Sequence, residues 1–386
     1  MELSALLHTV LHGVWYYVVI FLLILTVVVF IHEAGHFMVA RWNGVKVDVF
    51  SIGFGPEVWG WTDVKTGTRW RLSLIPLGGY VKFFGDADAS STISDERAMT
   101  EEEKAVAFQH KRVGQRAAVV FAGPAANFVF AILGLAVMFM VLGQPVTQPV
   151  VGSVHPGTAA EAAGMVAGDR ILAINGQPVT RFQDIQRIVR LDIEHPLEIS
   201  LDRAGQRIEL TATPRVIQRK GMFGDMEKVP VLGISNDPAS TTIVRHGPVS
   251  ALGESLHETE SMVRSTFIGI GQMINGTRDT DELGGPIRIA KGAGEAAQLG
   301  VSSVVFYTIL LSLNLGLINL FPIPVLDGGH LLFYGIEAIL GRPLGERVQE
   351  YGFRIGLFLV LALMVFATRN DIVALPIWDV VKRLFS

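Results

Sequence analysis

Four long stretches of the chain carry almost no charge, and between the second and the third the pattern changes to short alternating runs. Val14 to Ile31 is 18 residues without a charge; as a helix it spans roughly 27 Å, the thickness of a hydrocarbon layer. Ala117 to Gly143 is a second run and Ala296 to Leu326 a third. Pro322 and Pro324 fall near the end of the third, so its helix should break before the run finishes. Ile355 to Thr368 is shorter and crosses only if Arg354 extends toward the interface. The pattern predicts about four transmembrane helices. A cleaved leader is not expected, since residues 1–13 contain no Lys or Arg and no small-residue cleavage site follows the first run.

Residues 148–240 read as a water-soluble module. Val150 to Val154, Ile171 to Ile174, Leu197 to Leu201 and Ile208 to Thr213 have the pattern of strands, and Ala159 to Ala163 and Phe182 to Leu191 that of helices. The string Pro156, Gly157, Thr158, Ala159 to Gly164, then Ala167, Gly168, Asp169, Arg170, Ile171 and Asn175, Gly176 resembles a PDZ domain. In its permuted bacterial form the peptide-binding strand comes last. Val231, Leu232, Gly233 and Ile234 fit the turn that cradles a chain terminus, the alternative being a β module without a ligand. Beyond it Val249, Leu252, Leu256, Val263, Phe267, Ile270 and Ile274 recur at helical spacing. They predict an amphipathic helix that lies on the membrane surface or packs against the module.

Composition sharpens this picture. Half of the 386 residues are hydrophobic and 18% are charged, which excludes an ordinary soluble enzyme and a disordered chain. With 32 basic and 36 acidic residues the net charge is −4, so no nucleic-acid partner is expected. Eleven Lys and Arg lie between Arg41 and Arg116 and none in residues 1–13, which places the segment between the first two spans in the cytoplasm. The termini and the soluble module then lie on the far side. The absence of cysteine removes disulfides, thiol nucleophiles and thiolate metal sites together.

The first span ends in His32, Glu33, Ala34, Gly35, His36. Residues four apart on a helix face the same way, so both imidazoles can meet one cation while Glu33 takes a proton from water, a zinc-site pattern. Three ionisable groups in an apolar span are costly unless they coordinate or pair. His8 and His12 share the spacing but lack the glutamate and read as interfacial histidines. A catalytic zinc needs a third protein ligand, here His, Asp or Glu from another span. Asp327 is the first charge after the third run, in Asn319-Leu-Phe-Pro-Ile-Pro-Val-Leu-Asp327-Gly-Gly. The alternative for Asp327 is a helix cap, and His330 reads as a supporting or capping residue. Arg71 to Phe84, with alternating apolar residues and a Gly-Gly turn, predicts a membrane-embedded β-hairpin whose edge pairs with substrate, or else a plain cytoplasmic loop strand.

Together HEAGH, Gly53-Phe54-Gly55-Pro56, Ala122-Gly123-Pro124 with Asn127, an inserted PDZ module and the Asn319 to Gly329 string resemble the site-2 protease family, in particular its sigma-E-regulating bacterial branch. The best-known enterobacterial members carry two tandem PDZ domains, whereas this chain has room for one. The resemblance implies an α-helical polytopic membrane protein with a membrane-associated β-hairpin and an inserted α+β PDZ domain. The corresponding domains are residues 1–147, a PDZ domain at 148–240, a linker helix region at 241–295 and a second membrane part at 296–386. It also implies a Zn2+ cofactor held by His32, His36 and Asp327, with Glu33 as catalytic base and substrate positioning by Asn314 and Asn319. The implied enzyme cuts single-span membrane proteins resembling anti-sigma factors, in the bacterial inner membrane. Its active site lies toward the cytoplasm, and its PDZ domain meets peptide termini on the periplasmic side. The rival class is a non-catalytic PDZ scaffold in the lipid bilayer.

Overall fold

A computed structural model describes residues 2–85, 99–191, 195–220, 226–276 and 279–374. In chain order α1 (Glu2–Trp42) leads into β1 (Val47–Thr62) and β2 (Arg69–Phe83), then α2 (Glu101–Val106) and α3 (Val113–Val141). There follow β3 (Gln144–Thr147), β4 (Val151–Val154), α4 (Ala159–Ala162), β5 (Arg170–Ile174), β6 (Gln177–Pro178), α5 (Phe182–Leu191), β7 (Leu197–Arg203) and β8 (Gln206–Ala212). The order continues through β9 (Arg215–Lys220), β10 (Met226–Val231), β11 (Ile234–Asn236), β12 (Thr241–Val244) and α6 (Pro248–Ile274). It ends with α7 (Pro286–Leu299), α8 (Val301–Asn319), α9 (Asp327–Leu340) and α10 (Glu346–Val373). Residues 1–134 with 284–386 form one compact unit and residues 135–283 another.

Among the described residues, four helices are long and apolar enough to cross a membrane: Trp15–Trp42, Val113–Val141, Val301–Asn319 and Arg347–Val373. Their limits correct the sequence reading at three places. The first span does not end at the HEAGH residues, because nothing in Phe37, Met38, Val39 and Ala40 breaks a helix, and α1 runs on to Trp42. The third apolar run is divided: Gly300 takes φ 109°, a conformation that suits a residue without Cβ, so residues 296–299 close α7 and the span starts at Val301. The fourth is a full 28-residue helix, since Glu350, Arg354 and Arg369 are good helix formers that do not stop α10.

In the first unit, α7 lays Gly292, Ala293, Gly294 and Ala296 inward, and its start is tied to α10. The buried Asp371 carboxylate accepts the backbone N–H of Gly285, Ile287 and Arg288. The α7 N-terminus thereby gains the negative partner its free amides require.

β1 and β2 form one long antiparallel hairpin that doubles over. Val47 to Ile52 pairs with Gly79 to Phe83 on one side and, through Val49 to Ile52, with Arg69 to Leu72 on the other. Glu57 to Thr62 adds outside Arg69 to Ser73, giving four segments in the order 79–83, 47–52, 69–73, 57–62, of which the two outer pairs run antiparallel and the central pair, 49–52 with 69–72, runs parallel. The fold-over falls at Gly53, Gly55 and Gly78, all with positive φ; a Cβ on Gly53 would lie 2.6 Å from the Ile75 carbonyl. The hairpin turn is therefore at 63–68, not at Gly78-Gly79 as Arg71 to Phe84 predicts by itself: β2 finds its partner in β1, a pairing outside that window.

The second unit has a four-stranded antiparallel sheet in the order β6-β5-β7-β8, with β4 paired to β11. Ile171, Ile174, Leu197, Ile199 and Leu201 are fully buried, beside Ile185, Ile188 and Val189 of α5. The strand and helix positions expected for residues 150–213 are those observed. The β9–β10 and β3–β12 pairs add to them. On α6 the small residues Ala251, Ser255 and Thr259 are buried, and Val249, Leu252, Leu256, Phe267 and Ile274 are exposed.

Candidate metal centre

His32 and His36 lie one turn apart on α1 with their rings edge-on at 4.8 Å. Their Nε2 atoms are 3.2 Å apart. Asp327, the first residue of α9, brings Oδ2 to 3.1 Å from His32 Nε2 and 3.5 Å from His36 Nε2. Both imidazoles are buried, 7% and 8% exposed. Oδ2 accepts no hydrogen bond among the described residues. Three acceptor-type atoms converging without protons between them repel one another unless a cation sits among them. Bonds of about 2.0–2.1 Å to one tetrahedral zinc would separate ligand atoms by roughly 3.3 Å. The three donors fit that requirement, and they form a group able to hold one ion.

Each of the three donors is fixed from behind. His36 Nδ1 lies 2.8 Å from the Val119 carbonyl, which can only accept, so Nδ1 carries the proton and the Nε2 lone pair faces the centre. Pro124 has no N–H for the Val120 carbonyl, so the α3 ladder is interrupted next to the carbonyl that the imidazole meets. His32 Nδ1 lies 3.2 Å from the Asn127 amide. The close crossing of α1 and α3 demands small residues: a Cβ on Gly123 would lie 2.2 Å from His36 Nε2, and one on Gly35 2.3 Å from the Ala122 carbonyl. Asp327 leaves a tight turn in which Val325 takes φ 100°, unusual for a β-branched residue. Such strain, of order 1–3 kcal/mol, persists only where the surroundings enforce it. Here two prolines precede it, and Gly328 and Gly329 are packed on the carbonyls of Phe321 and Ile323.

Glu33 stands beside the pair, against the outer segment of the sheet. A Cβ on Gly79 would lie 3.3 Å from Glu33 Cγ, and the Val81 backbone amide faces its carboxylate.

Residues 20–363 match the model of peptidase family M50. The chain belongs to peptidase family M50. This M50 peptidase is 46% identical over 364 residues to an Agrobacterium fabrum protein that carries a zinc metalloprotease name, covering 93% of this chain and 96% of that one. Metalloprotease MmpA of Caulobacter vibrioides is 38% identical over 389 residues, covering 95% and 97%. Regulator of sigma-E protease RseP of Salmonella typhimurium is 34% identical over 448 residues, covering 91% and 97%. Among solved structures, the PDZ domain of an SdrC-like protein from Listeria monocytogenes aligns with 22% of this chain and 84% of its own, at 22% identity and TM-score 0.19. The M50 peptidase is a membrane zinc metalloprotease, and the scaffold alternative falls.

Of the residues singled out in the M50 chain, His32, His36 and Asp327 are brought together, and Glu33 adjoins them. Asn314 and Asn319 sit half-buried on α8, their amides unpaired among the described residues and without a hydrogen bond to the three donors. Val231 to Ile234 belong to the other unit. There Leu232 is buried, the Gly233 carbonyl accepts the His155 amide, and Ile234 pairs with Val154. The side chains of His8 and His12 lie outside those described. His330 lies with its ring centroid 5.1 Å from that of Phe353, tilted against it, and is not among the converging donors. The Val119 contact to His36 is one that sequence reasoning cannot find, because a backbone carbonyl has no side-chain signature. Asn127 is named in the sequence reading with the second-span motif, but without a role.

Proposed function

We propose that this M50 peptidase is an intramembrane protease that hydrolyses a peptide bond within or near the transmembrane segment of a single-span protein. One observation carries the reading: His32 lies about 25 Å along the helix from Trp15 and about 15 Å from Trp42. The converging donors are therefore inside the span, at a depth where a substrate backbone is itself helical. His32, His36 and Asp327 would hold the zinc. When bound, zinc supplies Lewis-acid polarisation of the scissile carbonyl and acidifies water. Glu33 takes the proton of the attacking water as its oxygen bonds to the carbonyl carbon, and returns it to the amide nitrogen as the C–N bond breaks.

A helical substrate shields its carbonyls and must be unwound first. Residues 79–83 form an outer segment of the sheet beside Glu33, suited to receive an extended chain by strand addition. Phe54, Val58, Trp59, Trp61, Leu72, Leu74 and Ile75 of that sheet are exposed, which fits immersion in lipid. The unpaired amides of Asn314 and Asn319 would take up backbone hydrogen bonds the substrate has lost. The second unit fits a permuted PDZ module, with Val231 to Ile234 as its terminus-binding turn and β11 offering an edge without a strand partner among the described residues. The basic segment between the first two spans would face the cytoplasm, and the PDZ module the periplasm, where it meets the terminus of a substrate already shortened by another protease. Such a substrate resembles an anti-sigma factor.

Purified protein in detergent should cut a model single-span substrate at a bond that mass mapping places in or beside its apolar segment. A zinc chelator and Glu33→Gln should each abolish the cut, the variant retaining its metal. Substantial turnover by Glu33→Gln removes that residue from the mechanism, and a cut confined to soluble flanks overturns the intramembrane assignment.

A further inference from the structure

The two histidines of the centre are held by different partners. For His36 the Val119 carbonyl settles the tautomer, because a carbonyl cannot donate. His32 presents Nε2 to the same point and needs the same tautomer, which requires an acceptor at Nδ1. The group at that nitrogen is the side-chain amide of Asn127, 3.2 Å away and completely buried. With Nδ2 toward the ring, Oδ1 has no hydrogen-bond partner among the described residues. A half-turn of the amide exchanges the two atoms, which are alike in shape. Oδ1 then accepts Nδ1–H, its own unsatisfied state ends, and the His32 Nε2 lone pair is free for the metal. One rotation gives Oδ1 a donor and His32 the metal-binding tautomer.

We propose that Asn127 is a positioning residue that accepts the Nδ1 proton of His32 and so holds that imidazole in its metal-binding tautomer and orientation. The inference rests on the reading of His32, His36 and Asp327 as the zinc ligands. The surroundings are built for it. Ser312 Oγ donates to the Asn127 backbone carbonyl at 3.2 Å, and a Cβ on Gly316 would lie 3.1 Å from Asn127 Cβ. Helix α8 thus fixes this turn of α3 and leaves room for its amide. A carboxylate can fill the same place as a pure acceptor, whereas an isosteric apolar side chain cannot accept.

The test uses the full-length protein in detergent. Zinc affinity is measured by competition with a chromogenic chelator and ligand geometry by the visible spectrum of the cobalt(II) form, for the wild type, Asn127→Leu, Asn127→Asp and Asp327→Ala. Asn127→Leu should weaken zinc by 10–100-fold and reduce the tetrahedral cobalt bands. Asn127→Asp should restore both to near wild type. If Asn127→Leu does not fold, Asn127→Ala, which only removes atoms, carries the same expectation. Wild-type zinc affinity in the Leu or Ala variant overturns the inference, as does an Asp variant no better than Leu, which would mean the amide donates or merely fills space. Loss of zinc in Asp327→Ala with wild-type affinity in Asn127→Leu refutes the positioning role and leaves the ligand reading intact. Full zinc in Asp327→Ala overturns the ligand assignment and this inference with it.

Discussion

Asp169 is a carboxylate with no exposed side-chain surface, placed in the second unit between two sources of protons. Burial works against its charge, but the Arg203 guanidinium, at 2.7 and 2.8 Å, and the Val166 amide, at 2.9 Å, hold its pKa below the ordinary carboxylate value of 3.8. A depressed folded-state pKa gives stability that is complete above the unfolded value and lost as pH falls through the folded one. The resistance of residues 151–236 to limited proteolysis in the full-length protein should therefore be flat from pH 7 to about 5 and fall below about pH 4. Asp169→Asn should cost about 2 kcal/mol at pH 7 and flatten the difference between neutral and acid conditions. Other single residues show where sequence reading stops. The spacing of His32 and His36 displays the shared face, and Asp327 is visible as the charge that ends an apolar run. Gly123 acquires a reason only once His36 Nε2 is found where its Cβ would be.

Elements fail to show in the sequence when their partners are distant. The 71–83 segment reads as a strand, but its pairing with 47–62 is non-local, so the position of the turn comes from the fold. The same holds for α9, which begins beyond the third apolar run and is not delimited in the sequence reading. Its placement is governed by a buried ion pair: Arg116 of α3 meets Glu337 of α9 at 2.5 Å, with the guanidinium 4.8 Å from the Tyr334 ring. Removing one partner leaves the other buried and uncompensated, at roughly 3–5 kcal/mol. Because Asp327 is the first residue of α9, Glu337→Ala should weaken zinc binding as well as lower thermal stability. Zinc titration is the check; unchanged affinity would show that the turn at 320–326 holds Asp327 without help from the rest of its helix.

At the scale of the whole molecule, the sequence shows the alternation of membrane and soluble parts, because it rests on charge density and hydropathy, which are sums over many residues. The doubling-over of the β1–β2 hairpin and the division of residues 286–319 at Gly300 depend on single glycines and do not survive such averaging. Five of the six tryptophans, at positions 15, 42, 59, 61 and 70, lie among the described residues of the first unit, and none lies between 135 and 283. Tryptophan fluorescence therefore follows the unit that carries the metal centre. A ligand present at 100 times its Kd stabilises by about 2.7 kcal/mol. Chelation should lower the thermal midpoint seen by fluorescence by roughly 5–10 °C, reversibly on adding zinc. No shift would mean that the ion does not join α1 to α9.

That join has a temporal side. The first two donors leave the ribosome roughly 290 residues before the third, an interval of about 15–60 s at ordinary rates of synthesis. Throughout it the nascent chain already holds His32, Glu33 and His36 and still lacks Asp327. With the proposed ligand set, a hydrolase whose last donor is translated so late stays inert while its first three spans are made.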